Sequence, residues 1–253
     1  MEALSVSQVE AYLACPLKYR FRYIDQIPPP WRPAALAFGA SVHAAIEWFH
    51  RERLAGREPT AAQVQAIFDA DWYAQNLDPL VFAEWDSKTS LAEKGRAMLA
   101  LYVERAGSVR PKTAEERFEI DLFDPVTGEV LDVRLRGFID LIEEDGTLVE
   151  LKTAARMLDP GSLERHLQVS TYALAVFPRE GKVPKLRLDI LLKTKVPRLE
   201  RLPTTRTTED LAWTARLIEG TAQAIRAGHF YPNPSWRCTE CEYFAHCQAW
   251  RGQ

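Results

Sequence analysis

No stretch of this chain approaches the roughly 20 consecutive apolar residues that a membrane-spanning helix needs. An integral membrane protein is therefore not expected. The opening residues, MEALSVSQVE, have no charged segment followed by an apolar one, so no secretory leader is read there and a cytoplasmic location is the expectation. An excess of positive charge is missing too, with 32 Lys and Arg against 35 Asp and Glu and a formal net charge of −3. That balance does not advertise a nucleic-acid binder, although local patches matter more than the sum. Internal repeats and low-complexity segments are absent, which sets aside repeat arrays. Cysteine is scarce, with four in 253 residues.

Those four cysteines follow one pattern. Three form Cys238-x2-Cys241-x5-Cys247, and the fourth, Cys15, lies at the other end of the chain. A disulfide framework is not expected in a cytosolic protein, so clustered thiols read as metal or cluster ligands. Four thiolates fit a [4Fe–4S] cluster, with a structural zinc as the alternative and four unrelated buried thiols as the bland reading. The spacing matches neither paired zinc knuckles nor a ferredoxin run. A shared cluster would clasp the two chain ends together.

What is present is an ordinary globular composition, 47% hydrophobic and 26% charged, long enough for one sizeable core. The stretch Arg136 to Thr153, RGFIDLIEEDGTLVELKT, organises the rest. It reads as two strands, Leu131 to Ile142 and Leu148 to Lys152, joined at Glu144-Asp145-Gly146-Thr147, where Gly supplies the positive φ of a tight turn. Register decides which side chains meet. A two-residue turn would pair 144 with 147 and send Asp140 to the opposite face from Glu150 and Lys152. A three-residue loop, a type I turn with Gly146 in a left-handed bulge, pairs 143 with 147. It places Asp140 opposite Glu150, with Lys152 two residues along on the same face. The second register is expected. Two carboxylates and a lysine on one face suit a divalent cation such as Mg²⁺ or Mn²⁺, which shares its waters with a phosphate. The bland alternative is a solvated sheet face on which Lys152 pairs with a carboxylate.

Around the hairpin, an opening helix begins near Ser5, with Ser7 and Glu10 fitting a capping box. It leads into Lys18-Tyr19-Arg20-Phe21-Arg22-Tyr23, where basic and aromatic residues alternate. These residues either touch nucleic acid or pack their rings and solvate their charges. Pro28 to Pro33 is a stiff, extended connector. A helix from about Leu36 to Leu54 carries Gly39 and Ala40, small enough for close approach, and His43, a candidate metal ligand, although a lone helical histidine is more often structural. Two or three further helices lie between Ala61 and Gly107, with Trp72, Trp85 and Met98 expected in their core. From Glu115 the period switches to two, giving a strand with one wet face. A helix from about Ser162 to Phe177 stacks Gln168 and Tyr172 on one face. Strands follow at Leu186–Leu192 and about Leu199–Leu202. A last long helix, Glu209 to Ala227, stops at Gly228 before Tyr231-Pro-Asn-Pro leads into the cysteines.

His43 in Gly39-x3-His43, Asp140 in Gly-Phe-Ile-Asp, Glu150-x-Lys152 and Gln168-x3-Tyr172, in that order, resemble the PD-(D/E)XK nuclease superfamily, and more narrowly its RecB-family exonucleases. The opening LSVSQVEAYLACPLKYRFRYIDQIP and the closing Cys-x2-Cys-x5-Cys resemble the iron–sulfur branch, which includes the AddB nuclease domain and the CRISPR-adaptation exonucleases. The resemblance implies an α/β fold, a restriction-endonuclease-like mixed central sheet flanked by helices, forming one domain over 1–253. It also implies a helical insertion at 55–110 and a C-terminal iron–sulfur segment at 229–253 joined to Cys15. It implies that His43, Asp140, Glu150 and the backbone carbonyl of Leu151 hold Mg²⁺ or Mn²⁺. Lys152 would orient the attacking water or stabilise the pentacovalent phosphate, and Gln168 and Tyr172 would position the DNA strand. Cys15, Cys238, Cys241 and Cys247 would hold the cluster in a structural role. The implied activity is a metal-dependent exonuclease on single-stranded DNA ends in repair or recombination, with a helicase or repair complex as partner. A nuclease trimming CRISPR spacer precursors and a DNA-binding scaffold module are the alternatives.

Overall fold

The structure, a computed structural model, describes residues 3–250, the side chain of Pro160 excepted. Positions 251–253 of the C-terminal segment lie outside the described residues. In chain order the main elements are β1 (Leu4–Ser5), α1 (Val6–Ala14), α2 (Pro16–Tyr19), β2 (Arg32–Pro33), α3 (Ala34–Leu54) and α4 (Ala61–Gln75). There follow β3 (Leu80–Val81), α5 (Lys88–Arg105), β4 (Pro111–Phe123), β5 (Val130–Glu143) and β6 (Leu148–Ala154). The chain continues through α6 (Pro160–Glu164), α7 (Leu167–Glu180), β7 (Leu186–Leu192), β8 (Arg198–Thr204), α8 (Thr208–Arg226) and α9 (Phe244–Ala249). The fold is mixed α/β, with a central mixed sheet flanked by helices. Its strand order is β1-β5-β6-β7-β8, with β4 also pairing with β5. No helix among the described residues is long and apolar enough to cross a membrane.

The contacts divide into two compact units. One comprises residues 1–31, 118–137 and 207–253, and the other residues 32–117 and 138–206. In the first, β1 runs parallel to β5 with Leu4 opposite Leu135. The capping box on α1 uses Ser5 and Gln8 rather than Ser7 and Glu10, because Ser5 is the last extended residue before the helix. Of the alternating basic and aromatic residues, Tyr19 and Phe21 are buried. Phe21 packs with Leu17 and Tyr243 against Cys15, Cys241 and Cys247, so packing decides those two rings. Lys18 pairs with Glu242 at 2.7 Å and Arg20 with Asp25.

In the second unit, β6 and β7 are parallel from Leu148 opposite Leu186 to Ala154 opposite Leu192, and β8 closes antiparallel on β7. β7, LRLDILL, is nearly continuous in apolar residues, as a strand covered on both faces must be. Its one acidic residue, the buried Asp189, is paired with Arg187 at 2.6 Å and Arg201 at 3.6 Å. Helices α3, α4 and α5 bury Phe38, Phe68, Trp72, Met98 and Leu99 with Leu141, Val149 and Leu151 of the sheet. Trp85, expected in this core, is instead 76% exposed. It sits in the turn between α4 and α5, where the chain reverses and no second layer covers it.

The expected helix from Ser162 to Phe177 is broken in two. α6 ends at Glu164 and the backbone turns extended at His166 before α7 begins. The apolar pattern runs through the break, so periodicity alone could not show it.

Candidate metal centre

The hairpin turn sets the register. Gly146 has φ +84°, its N–H donates to Glu143 O at 2.9 Å, and Glu143 N donates to Thr147 O at 3.0 Å. Leu141 therefore faces Val149 and Ile142 faces Leu148. Continuing the count puts Asp140 opposite Glu150, which is the three-residue register.

The regular ladder between β5 and β6 ends just there, and what replaces it builds the site. Leu151 N–H donates to Asp140 Oδ2 at 2.7 Å instead of to a backbone carbonyl. Leu151 O accepts from His43 Nε2 at 2.7 Å. Both backbone groups freed by the end of the ladder are thus satisfied by side chains, as buried backbone requires. A carbonyl only accepts, so the neutral His43 ring carries its proton on Nε2. Its Nδ1 lone pair is left on the Asp140 side, 3.8 Å from Oδ2. The carbonyl of Leu151, implied as a ligand, is engaged by His43 and keeps one lone pair.

α3 brings His43 this close because Gly39, one turn earlier, lies against β6. A Cβ on Gly39 would meet Thr153 Oγ1 at 3.2 Å.

Glu150 and Lys152 share the Asp140 face of the hairpin, opposite the Thr153 side chain that meets Gly39. Glu150 Oε1 lies 2.5 Å from Lys152 Nζ, and the same ammonium donates to Gln168 Oε1 at 2.9 Å. Tyr172 donates to Glu150 Oε2 at 2.6 Å, with Asp140 Oδ1 at 3.1 Å, and accepts from Gln168 Nε2 at 2.9 Å. The phenol is 1% exposed. Its geometry joins the two carboxylates.

A further acid joins the group. His43, Glu115 and Asp140 each offer a ligand atom, all within 4.8 Å of one another. Glu115 adopts φ +52° inside β4, a left-handed conformation that is costly for a residue with a side chain and that concentrates at functional sites. The signal in the residue pattern is weak: Glu115 opens the alternating strand, but nothing marks the backbone twist that turns it.

Electrostatics set the chemistry of the group. Burial raises Asp140 to about 6, opposed by the Leu151 N–H that it accepts and reinforced by Glu115. Burial and Asp140 raise Glu150 to about 7, and burial and Glu47 raise Glu115 to about 7. Burial lowers His43, keeping it neutral at neutral pH. Tyr172 is raised by burial and by both carboxylates, so it stays a donor. Acids crowded with too little positive charge, beside a neutral imidazole with a free lone pair, are what a divalent cation satisfies. The donor set fits Mg²⁺ or Mn²⁺.

A family profile for the PD-(D/E)XK nuclease superfamily matches residues 3–248. The chain belongs to the PD-(D/E)XK nuclease superfamily. In structure this PD-(D/E)XK chain is similar to a protein from Eubacterium rectale provisionally named an exonuclease. The TM-score is 0.64 at 14% identity, covering 97% of this chain and 88% of the other, a likeness of fold. The crystal structure of SSO0001 gives a TM-score of 0.41 at 14% identity, over 96% and 95% of the two chains. No curated protein matches the sequence.

In the other unit, Cys15, Cys238, Cys241 and Cys247 are all free thiols and all half-buried. Burial raises Cys247, and Cys15, Cys241 and Cys238 raise it further, which places Cys247 in electrostatic range of the other three.

Proposed function

We propose that this nuclease is a divalent-metal-dependent deoxyribonuclease acting on the ends of single-stranded DNA, in repair or recombination. The observation that supports it most is the end of the β5–β6 ladder at Asp140 and Glu150. There the freed backbone of Leu151 is held by Asp140 and His43 while Lys152 and Tyr172 hold Glu150. His43 through Nδ1, Asp140 and Glu115 would hold Mg²⁺ or Mn²⁺, with Glu150 beside them. When bound, the cation supplies Lewis-acid activation of water and neutralises charge at the scissile phosphate. The chain supplies the rest. Lys152, fixed between Glu150 and Gln168, offers an ammonium donor to the charge that builds on a phosphodiester under attack. Tyr172 keeps the two carboxylates at a set separation, and Gln168 orients both Lys152 and the phenol.

Cys15, Cys238, Cys241 and Cys247 would hold a [4Fe–4S] cluster, or zinc, as a structural clasp of the unit in which they lie. Four thiols with no competing acid in the set fit a soft metal better than Mg²⁺.

The test is digestion of end-labelled linear and circular single-stranded DNA with Mn²⁺, Mg²⁺ or EDTA. Metal-dependent loss of the linear strand with the circle spared supports the reading. Equal cutting of both refutes the preference for ends.

A further inference from the structure

A turn between α4 and α5 combines an anchored base with an exposed ring. Asp86 N–H donates to Ala83 O at 2.9 Å, closing a turn whose third residue is Trp85. The Asp86 carboxylate, only 4% exposed, is clamped by Lys94 at 2.7 Å and Lys193 at 3.3 Å. Leu80 and Phe82, just before the turn, pack against the core of the unit. The neighbouring Trp85 is nonetheless 76% exposed. A fixed tryptophan left in water is a surface prepared for something flat and apolar.

Its location narrows the occupant. Lys193 follows β7, and its N–H donates to Ala154 O, the last residue of β6, at 2.9 Å. Its ammonium also lies 5.8 Å from the ring centroid of Phe38, the residue before Gly39. The turn is therefore pinned at the carboxyl ends of the parallel strands β6 and β7, the edge at which open α/β sheets bind ligands. It is reached from Lys152 within two residues of β6. A second exposed ring, Tyr73, has Lys88 Nζ 5.6 Å from its centroid. Arg156 and Lys195, in the segments that leave β6 and β7, are exposed cations. Of the acids in residues 76–87, Asp86 is neutralised as above and Asp78 faces Arg32 at 3.6 Å, leaving Glu84. Rings interleaved with cations beside a phosphodiester site match a single strand, whose bases stack and whose phosphates need counter-charge.

We propose that Trp85 is a base-stacking platform for single-stranded DNA entering the metal centre, with Lys88, Arg156 and Lys195 meeting its phosphates. This rests on the nuclease reading above.

The test measures binding of a labelled oligothymidylate of about 15 nucleotides by anisotropy in EDTA, where no cutting occurs. Trp85→Ala is expected to weaken binding by about 5- to 150-fold, the range of one stacked base. Trp85→Phe is expected to recover most of the affinity while losing part of the tryptophan quenching seen on binding. Trp213→Ala, an exposed tryptophan on α8, serves as control and leaves affinity unchanged. Unchanged affinity in Trp85→Ala, in a wild type that cuts DNA, overturns the platform and leaves the nuclease reading standing. A wild type that neither binds nor cuts overturns both. An equal loss on a duplex of the same length overturns the single-strand assignment. Altered self-association of Trp85→Ala with unaltered DNA binding assigns the surface to protein contact and overturns the proposal.

Discussion

Replacing Tyr172 by Phe tests the wiring of the centre, because it removes one oxygen and leaves the ring. The hydroxyl sits 2.6 Å from Glu150 Oε2, 3.1 Å from Asp140 Oδ1 and 2.9 Å from Gln168 Nε2. Its one proton serves two acids, chiefly Glu150. Losing a bond to a charged acceptor costs about 1.5–3 kcal/mol, and the weaker contacts add about 1 kcal/mol. Phe fills the same ring volume, so no cavity contributes. Urea unfolding in EDTA should therefore show a loss of about 2–4 kcal/mol, or roughly 4–16 °C in Tm for a chain of this length. Saturating Mn²⁺ should shrink the difference, since a bound cation would itself offset the charge of the crowded carboxylates. Cleavage should fall by about 10- to 100-fold, as for other residues that orient ligands. Stability within about 0.5 kcal/mol of wild type, with no dependence on Mn²⁺, would refute the shared-hydroxyl reasoning.

Gly146→Ala should cost about 1–2 kcal/mol because the φ of +84° is left-handed, whereas Gly107→Ala, with open space and an ordinary φ, should not. His50 is buried against Tyr102, and burial followed by Arg53 and Arg201 lowers its pKa to about 3. The unfolded chain takes up this proton near pH 6.5 and the folded chain only near 3. Its contribution is therefore intact above about 6.5 and declines at up to about 1.4 kcal/mol per unit as pH falls towards 3. His50→Gln should flatten that limb in urea titrations across the range. Mn²⁺ at 100 times its Kd should raise stability by about 2.7 kcal/mol, and Glu115→Gln should weaken that response, measured by thermal scans against Mn²⁺ concentration. Anaerobically purified protein should contain the iron of one [4Fe–4S] cluster by elemental analysis, and Cys247→Ser should lose it; stoichiometric zinc instead would assign the alternative metal.

The hairpin was legible because a single residue, Gly146, fixes the turn and the period of two then fixes every face beyond it. The helices α3 and α8 are legible to within two residues at each end, whereas the span from Ala61 to Gly107 shows only that helices lie there. Glu115 was not, because its place depends on a left-handed φ inside a strand, which leaves no mark on the residue pattern. The interruption at Arg165–His166 was hidden for a related reason: the apolar face of α7 continues into α6. Trp85 departs from expectation because its residue type suggests burial, while its position in a turn closed by Asp86 leaves it exposed. The engagement of Leu151 O by His43 follows from where the ladder stops.

The most direct test of the central claim is single-turnover cleavage of a labelled single-stranded DNA end in Mn²⁺ by wild type and by Asp140→Asn. The substitution keeps the size of the side chain and removes its charge. Loss of cutting by about a thousandfold or more, in a protein that folds as the wild type does, is the predicted result. Cutting at the wild-type rate in Asp140→Asn would contradict a metal centre at His43, Glu115 and Asp140.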